Sequence, residues 1–220
     1  MHLNTVIFDM DGLLIDSEPL WKEAAQEIFA SYNITLTDEQ YATTTGLRTR
    51  EFSEWWLSRH AIDISEYPIA ESRILASVMD KVDKRGLVMP GVGYIIDFFK
   101  QLNFKIGIAS SSSLPLIDMV VEKLGIANYL DAIASAGNLP NGKPHPQVYL
   151  DCAGALGSTP TSCICFEDSF NGMIAVKAAR MRCVVVPGYE HYKEPRWAAA
   201  DLKLSSLQNF NQLHLNLLDN

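Results

Sequence analysis

The sequence is poor in cysteine, in basic residues and in long apolar runs, and each shortage removes a class of protein. Its four cysteines, Cys152, Cys163, Cys165 and Cys183, all lie in apolar segments of a 220-residue chain. Cys163 and Cys165 flank Ile164 in a segment that reads as a strand, so they share a face, but no further ligand stands nearby to complete a metal site. They read as small buried thiols in a reducing cytoplasm rather than as a disulfide framework. Eighteen Lys and Arg stand against 26 Asp and Glu, for a net charge of −8. No basic stripe is present to neutralise phosphates, so nucleic acid is not an expected partner. An anionic small substrate would need a local positive site built against the general field. No apolar run approaches the ~20 residues of a bilayer span. The N-terminal "MHLNTVIFD" enters an apolar segment without a basic n-region. The expectation is a cytoplasmic protein, without a membrane partner and monomeric.

What is present is the composition of a globular protein, 48 % hydrophobic and 20 % charged. The length suits one large core, or a core with a small accessory domain. Five short runs read as buried strands: Val6–Phe8, Ile106–Ala109, Ala132–Ala134, Cys163–Phe166 and Val184–Val186. They are almost continuously apolar, as strands covered on both faces should be. Helical spacing separates the later ones, as at Val92, Ile95, Ile96, Phe99 and Leu102. Strand alternating with helix predicts an α/β fold, a parallel sheet doubly wound by helices. The first strand breaks the rhythm, since roughly 90 residues precede the second, against about a dozen for a simple crossover. That interval reads as helical. Ser17 is a candidate cap for a helix with apolar face Trp21, Ala24, Ala25, Ile28, Phe29 and Tyr32, and Thr37 with Gln40 forms a capping-box pattern. The predicted organisation is a core of 1–16 and 87–220 with an inserted helical cap of 17–86. The chain crosses between them near Ile15–Ser17 and Arg85–Pro90.

Ligands of open parallel sheets bind beyond the carboxyl ends of the strands. Asp9 and Asp11 follow the first strand, and Ser110 opens "SSSS" after the second. A loop carrying Lys143 follows the third, and Glu167 and Asp168 follow the fourth. Two carboxylates side by side at the end of a buried strand repel each other and need compensation. Asp9, Asp11 and Asp168 can offer oxygens to a hard cation, which together with a substrate phosphate means Mg2+. Ser110 and the backbone N–H groups at the next helix start can hold phosphate oxygens, and Lys143 offers a point charge. Such an assembly suits phosphoryl transfer, where positioning and neutralisation carry the catalysis.

Four segments, "FDMDGLLIDSE", "IASSSS", "GKPHPQVYL" and "FEDSFNG", match in order and spacing the motifs of the haloacid dehalogenase-like hydrolase superfamily. The chain resembles the branch with a helical cap after the first motif. That branch holds sugar-phosphate phosphatases, phosphoglycolate phosphatases and β-phosphoglucomutases. "DMDGLLIDSEPLW", "GLR" at Gly46–Arg48 and "KPHPQVYLDCA" are similar to bacterial hexitol and 2-deoxyglucose 6-phosphate phosphatases. The resemblance implies a Mg2+-dependent phosphatase acting on small sugar or sugar-alcohol phosphates. Asp9 would be the nucleophile, forming an aspartyl-phosphate, and Asp11 the acid that protonates the leaving group and then the base that activates water. Metal ligands would be Asp9, the backbone carbonyl of Asp11, and Asp168, with Glu167 and Asn171 as candidates beside them. Ser110, the Ser111 backbone N–H and Lys143 would bind the phosphoryl oxygens. Arg48 and Trp21 are candidate specificity residues of the cap.

His145, between two prolines, reads as structural, and Trp55 and Trp56 as cap core. The nearest rival reading is a β-phosphoglucomutase, whose cap histidine deprotonates the sugar hydroxyl. Trp21 stands at the matching position, which tells against it; His60 would be the substitute base. A 2-haloacid dehalogenase lacks the second aspartate and the metal site. A phospho-acceptor signalling module, which does not turn over, leaves the helical insert unexplained.

Overall fold

A computed structural model describes residues 2–219. β1 (Thr5–Phe8) is wholly buried, its β-branched Thr5, Val6 and Ile7 suiting a strand covered on both faces. After it come β2 (Ile15–Asp16), α1 (Glu18–Ala30), α2 (Asp38–Ala42), α3 (Thr49–Arg59), α4 (Tyr67–Arg85) and β3 (Leu87–Val88). The rest alternates: α5 (Val92–Gln101), β4 (Lys105–Ser110), α6 (Leu114–Leu124), β5 (Ala132–Ser135), α7 (Gln147–Ala155), β6 (Cys163–Glu167), α8 (Phe170–Ala178), β7 (Arg182–Val185), β8 (Leu202–Lys203) and α9 (Gln212–Asp219). The large sheet has the order β5-β4-β1-β6-β7-β8, and every pairing in it is parallel. This is the expected doubly wound α/β sheet. No helix among the described residues is long and apolar enough to cross a membrane.

Alternation along the strands divides the core in two. Val6, Phe8, Ile106, Ile108, Ile164, Phe166 and Val184 face one layer with α5 and α6, where Phe8, Phe99, Phe166 and Phe210 pack ring on ring. Ile7, Ala109, Cys165, Cys183 and Val185 face the other, against α7 and α8. All four cysteines are buried free thiols on this second face. Burial pushes the Cys152 thiol up to about 12, so these groups behave as small apolar side chains.

The order also places the site. From β1 the chain proceeds through β4 to β5 on one side, then crosses to β6, β7 and β8 on the other. The reversal falls at β1, the position where open sheets bind ligands. β4 and β6 flank β1, so Asp9, Ser110 and Glu167 emerge side by side.

Between β2 and β3 the chain forms the four helices α1 to α4. β2 and β3 pair antiparallel, Ile15 with Val88 and Asp16 with Leu87, so both crossings run together as a two-stranded ribbon. Ala70, Ile74, Val78 and Val82 line the buried face of α4, at helix spacing. The capping box at Thr37 and Gln40 is present in both directions. Three details correct the sequence reading. The Ser17 side chain makes no cap bond to α1. β5 is an edge strand, half-buried along its length, because β4 covers only one of its sides. Of the two tryptophans, Trp56 is buried and donates to Thr44 Oγ1, whereas Trp55 is 45 % exposed beneath the Arg59 guanidinium.

Candidate active site

Lys143 is the centre of charge at the sheet edge. It is 1 % exposed, and its Nζ donates to Asp9 Oδ1 at 2.6 Å, to Glu167 Oε1 at 2.7 Å and to the Ala109 carbonyl at 3.1 Å. Burial works against the ammonium, but the two adjacent carboxylates outweigh it and hold its pKa above the ordinary lysine value. Glu167 is fully buried and bonded throughout. Tyr149 Oη donates to Oε1, and the Ser169 N–H and hydroxyl donate to Oε2. In this arrangement Glu167 fixes Lys143, and Lys143 fixes Asp9.

The neighbouring acids have no such compensation. No group among the described residues donates a hydrogen bond to the Asp168 carboxylate. Desolvation raises its pKa well above the usual carboxylate range, with Glu18, Asp9 and Glu167 adding to the effect. Desolvation likewise pushes Glu18 up to about 8, assisted by Asp11, Asp9 and Asp16. Asp9 is pushed to about 7, chiefly by burial and only partly opposed by Lys143. Gly12, at φ +72°, closes the turn over this cluster; a Cβ there would lie 2.1 Å from Asp168 Oδ2. Oxygens of Asp9, Glu167 and Asp168 lie within 4.8 Å of one another. Clustered carboxylate oxygens with too little positive charge among them suit a hard divalent cation. Because Glu167 already spends both oxygens on protein donors, Asp9 and Asp168 are the acids with capacity left for an ion.

Asp11 is held differently. Its Oδ1 accepts from Ser17 Oγ at 2.7 Å and from Trp21 Nε1 at 2.9 Å, and its Oδ2 accepts from Ser112 Oγ at 2.7 Å. Ser17 therefore serves Asp11 instead of capping α1. Ser110 is buried, its Oγ accepting from the Ser112 N–H at 3.0 Å, and Ser111 Oγ donates to the Gly46 carbonyl at 2.9 Å. That bond ties the loop after β4 to the helical segment. Asn171 Nδ2 makes a parallel tie to the Thr45 carbonyl at 2.9 Å, so its side chain is turned to the helices, not to the acids. Gly46, at φ +83°, permits this approach, since a Cβ would meet Ser169 Oγ at 2.6 Å.

These groups line one cavity between the sheet edge and the helices. The core side presents Asp9, Asp11, Ser110, Ser111, Ser112, Lys143, Asp168 and Ser169, while the helical side adds Glu18, Trp21, Tyr41, Thr44, Phe52 and Ile74 among others. Lys143 is the only Lys or Arg in that lining. Arg48 is not part of it. Its guanidinium is buried against the Ala136, Leu139 and Pro140 carbonyls and the Glu51 carboxylate, 2.7 Å from Oε1. It clamps α3 to the loop that carries Lys143, outside the residues that line the cavity. His145 is exposed, and its Nδ1 accepts from the Gln147 N–H in the turn before α7; His60 is an exposed residue at the end of α3. The sequence reading missed Ser17, Glu18 and Ser112 as site residues. Glu18 was visible as the acid closing "DSE"; Ser112 was not readable as a partner of Asp11, because it lies 101 residues away.

The family model described as haloacid dehalogenase-like hydrolase matches residues 6–186. Hexitol phosphatase B of Escherichia coli is 43 % identical over 202 residues, 91 % of each chain. A fructose-1-phosphate phosphatase of the same species is 27 % identical, covering 82 % of this chain and 95 % of its own. Among solved structures, a β-phosphoglucomutase from Clostridium difficile superposes with a TM-score of 0.88 at 25 % identity, over 99 % of this chain and 97 % of that one.

Proposed function

We propose a function from one premise: the chain belongs to the haloacid dehalogenase-like hydrolase family. It is a phosphoric monoester hydrolase that releases phosphate from small sugar or sugar-alcohol phosphates, of the hexitol phosphate or 2-deoxyglucose 6-phosphate type. The similarity to a hexitol phosphatase over nine-tenths of both chains supports the substrate class. The observation that carries the chemistry is the anchoring of Asp9. Lys143 holds Oδ1 at 2.6 Å, so the carboxylate is fixed at the cavity wall while its second oxygen accepts no hydrogen bond among the described residues.

That second oxygen attacks phosphorus, the ester oxygen departs, and an aspartyl-phosphate forms on Asp9. Asp11 gives a proton to the departing alkoxide and later takes one from the attacking water. The Ser110 hydroxyl and the Ser111 N–H receive the phosphoryl oxygens, and Lys143, its three N–H groups spent on Asp9, Glu167 and the Ala109 carbonyl, offers them its positive charge. Asp9, Asp168 and the Asp11 carbonyl are suited to hold Mg2+, with Glu167 keeping Lys143 in place behind them. The ion would supply charge neutralisation between the acids and the phosphate. Residues 17–86 act as a cap whose seating excludes water and whose ribbon of β2 and β3 serves as the hinge. The mutase alternative requires a base for an incoming sugar hydroxyl, and the Trp21 indole is only a donor, already committed to Asp11.

Asp9→Asn keeps the shape and removes the attacking oxygen. With Mg2+ and a panel of hexitol, hexose, pentose and glycolate phosphates, phosphate release is expected to fall by roughly four to six orders of magnitude. Undiminished turnover in this variant would place the nucleophile elsewhere.

A further inference from the structure

The hydrogen bonds to Asp11 distinguish its two oxygens, and this distinction deepens the acid–base role proposed above, on which it rests. Oδ1 takes two donors, Ser17 Oγ at 2.7 Å and Trp21 Nε1 at 2.9 Å; Oδ2 takes one, Ser112 Oγ at 2.7 Å. A hydroxyl can turn to donate or accept, but an indole N–H only donates. The indole fills one lone-pair direction of Oδ1 and the other points at Ser17 Oγ, so a proton on Oδ1 would be held by that hydroxyl instead of reaching the substrate. Oδ2 retains one open direction, and the Ser112 hydroxyl facing it can serve either the carboxylate or the acid. We infer that Trp21 is a positioning residue: it commits Oδ1 of Asp11 to accepting and leaves Oδ2 as the oxygen that gives and takes the proton, steered by Ser112.

The balance is simple. As an Asp9 oxygen bonds to phosphorus and the ester P–O bond breaks, the proton on Oδ2 passes to the leaving oxygen. In the second half a water oxygen bonds to phosphorus, the Asp9–phosphorus bond breaks, and one water proton returns to Oδ2. The indole and the Ser17 hydroxyl change no bond.

The chain builds this clamp from two places. Ser17 and Trp21 are four residues apart at the start of α1, so they stack on one helix face. Ser112 comes from the loop after β4. Asp11 is gripped from both sides only while the first turn of α1 sits against the sheet edge. The position that would hold a base in a mutase-like site here fixes the acid of a hydrolase.

Phenyl phosphate and 4-nitrophenyl phosphate test this, because their rings fill similar space while their leaving oxygens differ in need for a proton. In Trp21→Phe, which keeps an aromatic ring and removes the N–H, turnover with Mg2+ is expected to drop about tenfold more on phenyl than on 4-nitrophenyl phosphate, the size of one hydrogen bond to a charged group. Ser112→Ala, on the core side and independent of α1, is expected to show the same asymmetry. Equal losses on the two esters in both variants would mean that the clamp only packs the site or holds substrate, and would overturn the inference. A wild-type protein that releases phosphate neither from these esters nor from the sugar-phosphate panel would instead sink the phosphatase reading itself.

Discussion

Two groups of acids share the edge of this sheet, and they are compensated in opposite ways. Asp9 and Glu167 close on Lys143, and every oxygen of Glu167 has a protein donor. Asp168 and Glu18, which meet over Gly12, make no salt bridge among the described residues, and desolvation raises both pKa values. The Lys143–Glu167 pair is fully hydrogen-bonded, as buried charges must be to persist, while Asp9 keeps one oxygen free. The second group is unfinished without a positive partner.

The two groups of acids should differ most at Lys143. Lys143→Met strands two buried carboxylates, and the loss is expected to be about 3–5 kcal/mol in urea unfolding. A loss near zero would mean that the triad is not a structural unit. The other group should respond to an ion. Mg2+ at about a hundredfold its dissociation constant is expected to stabilise the wild type by roughly 2.7 kcal/mol. Asp168→Asn should abolish that gain without destabilising the metal-free protein; a full gain retained in Asp168→Asn would remove Asp168 from the ligand set.

The smallest expected effect is on pH dependence. Asp9 at about 7 and Glu18 at about 8 stand above their ordinary values of 3.8 and 4.5. The folded, metal-free protein therefore keeps protons that the unfolded chain has released. The stability these two groups contribute is full below the unfolded values and is lost as pH rises through about 4 to 8. Melting temperatures measured in EDTA across this range should decline, and added Mg2+ should flatten the decline. A rise with pH in EDTA would contradict the raised values.

The sheet and the identity of the acids at its edge were legible because both are local. Apolar runs announce buried strands, and each strand end announces the next residues in sequence. β8 and the β2–β3 ribbon escaped, since two-residue strands carry no periodicity and depend on a distant partner. Side-chain destinations were the least readable. Ser17 has the spacing of a cap yet turns to Asp11, because an acceptor carboxylate lies within reach. Arg48 stands in a segment that suggests substrate contact, but the carbonyls of the 136–140 loop and Glu51 claim it. Trp55 and Trp56 are adjacent, so on a helix they point in different directions, and only Trp56 is buried.

The Trp21–Asp11 pairing leads to the expectation that water, not a sugar, accepts the phosphoryl group from Asp9. Its most direct test supplies the protein with Mg2+, β-glucose 1-phosphate and a trace of the 1,6-bisphosphate, and measures both products. A site whose mutase position holds Trp21, committed to Asp11, should yield inorganic phosphate as the main product and little glucose 6-phosphate. Stoichiometric conversion to glucose 6-phosphate without release of phosphate would contradict it.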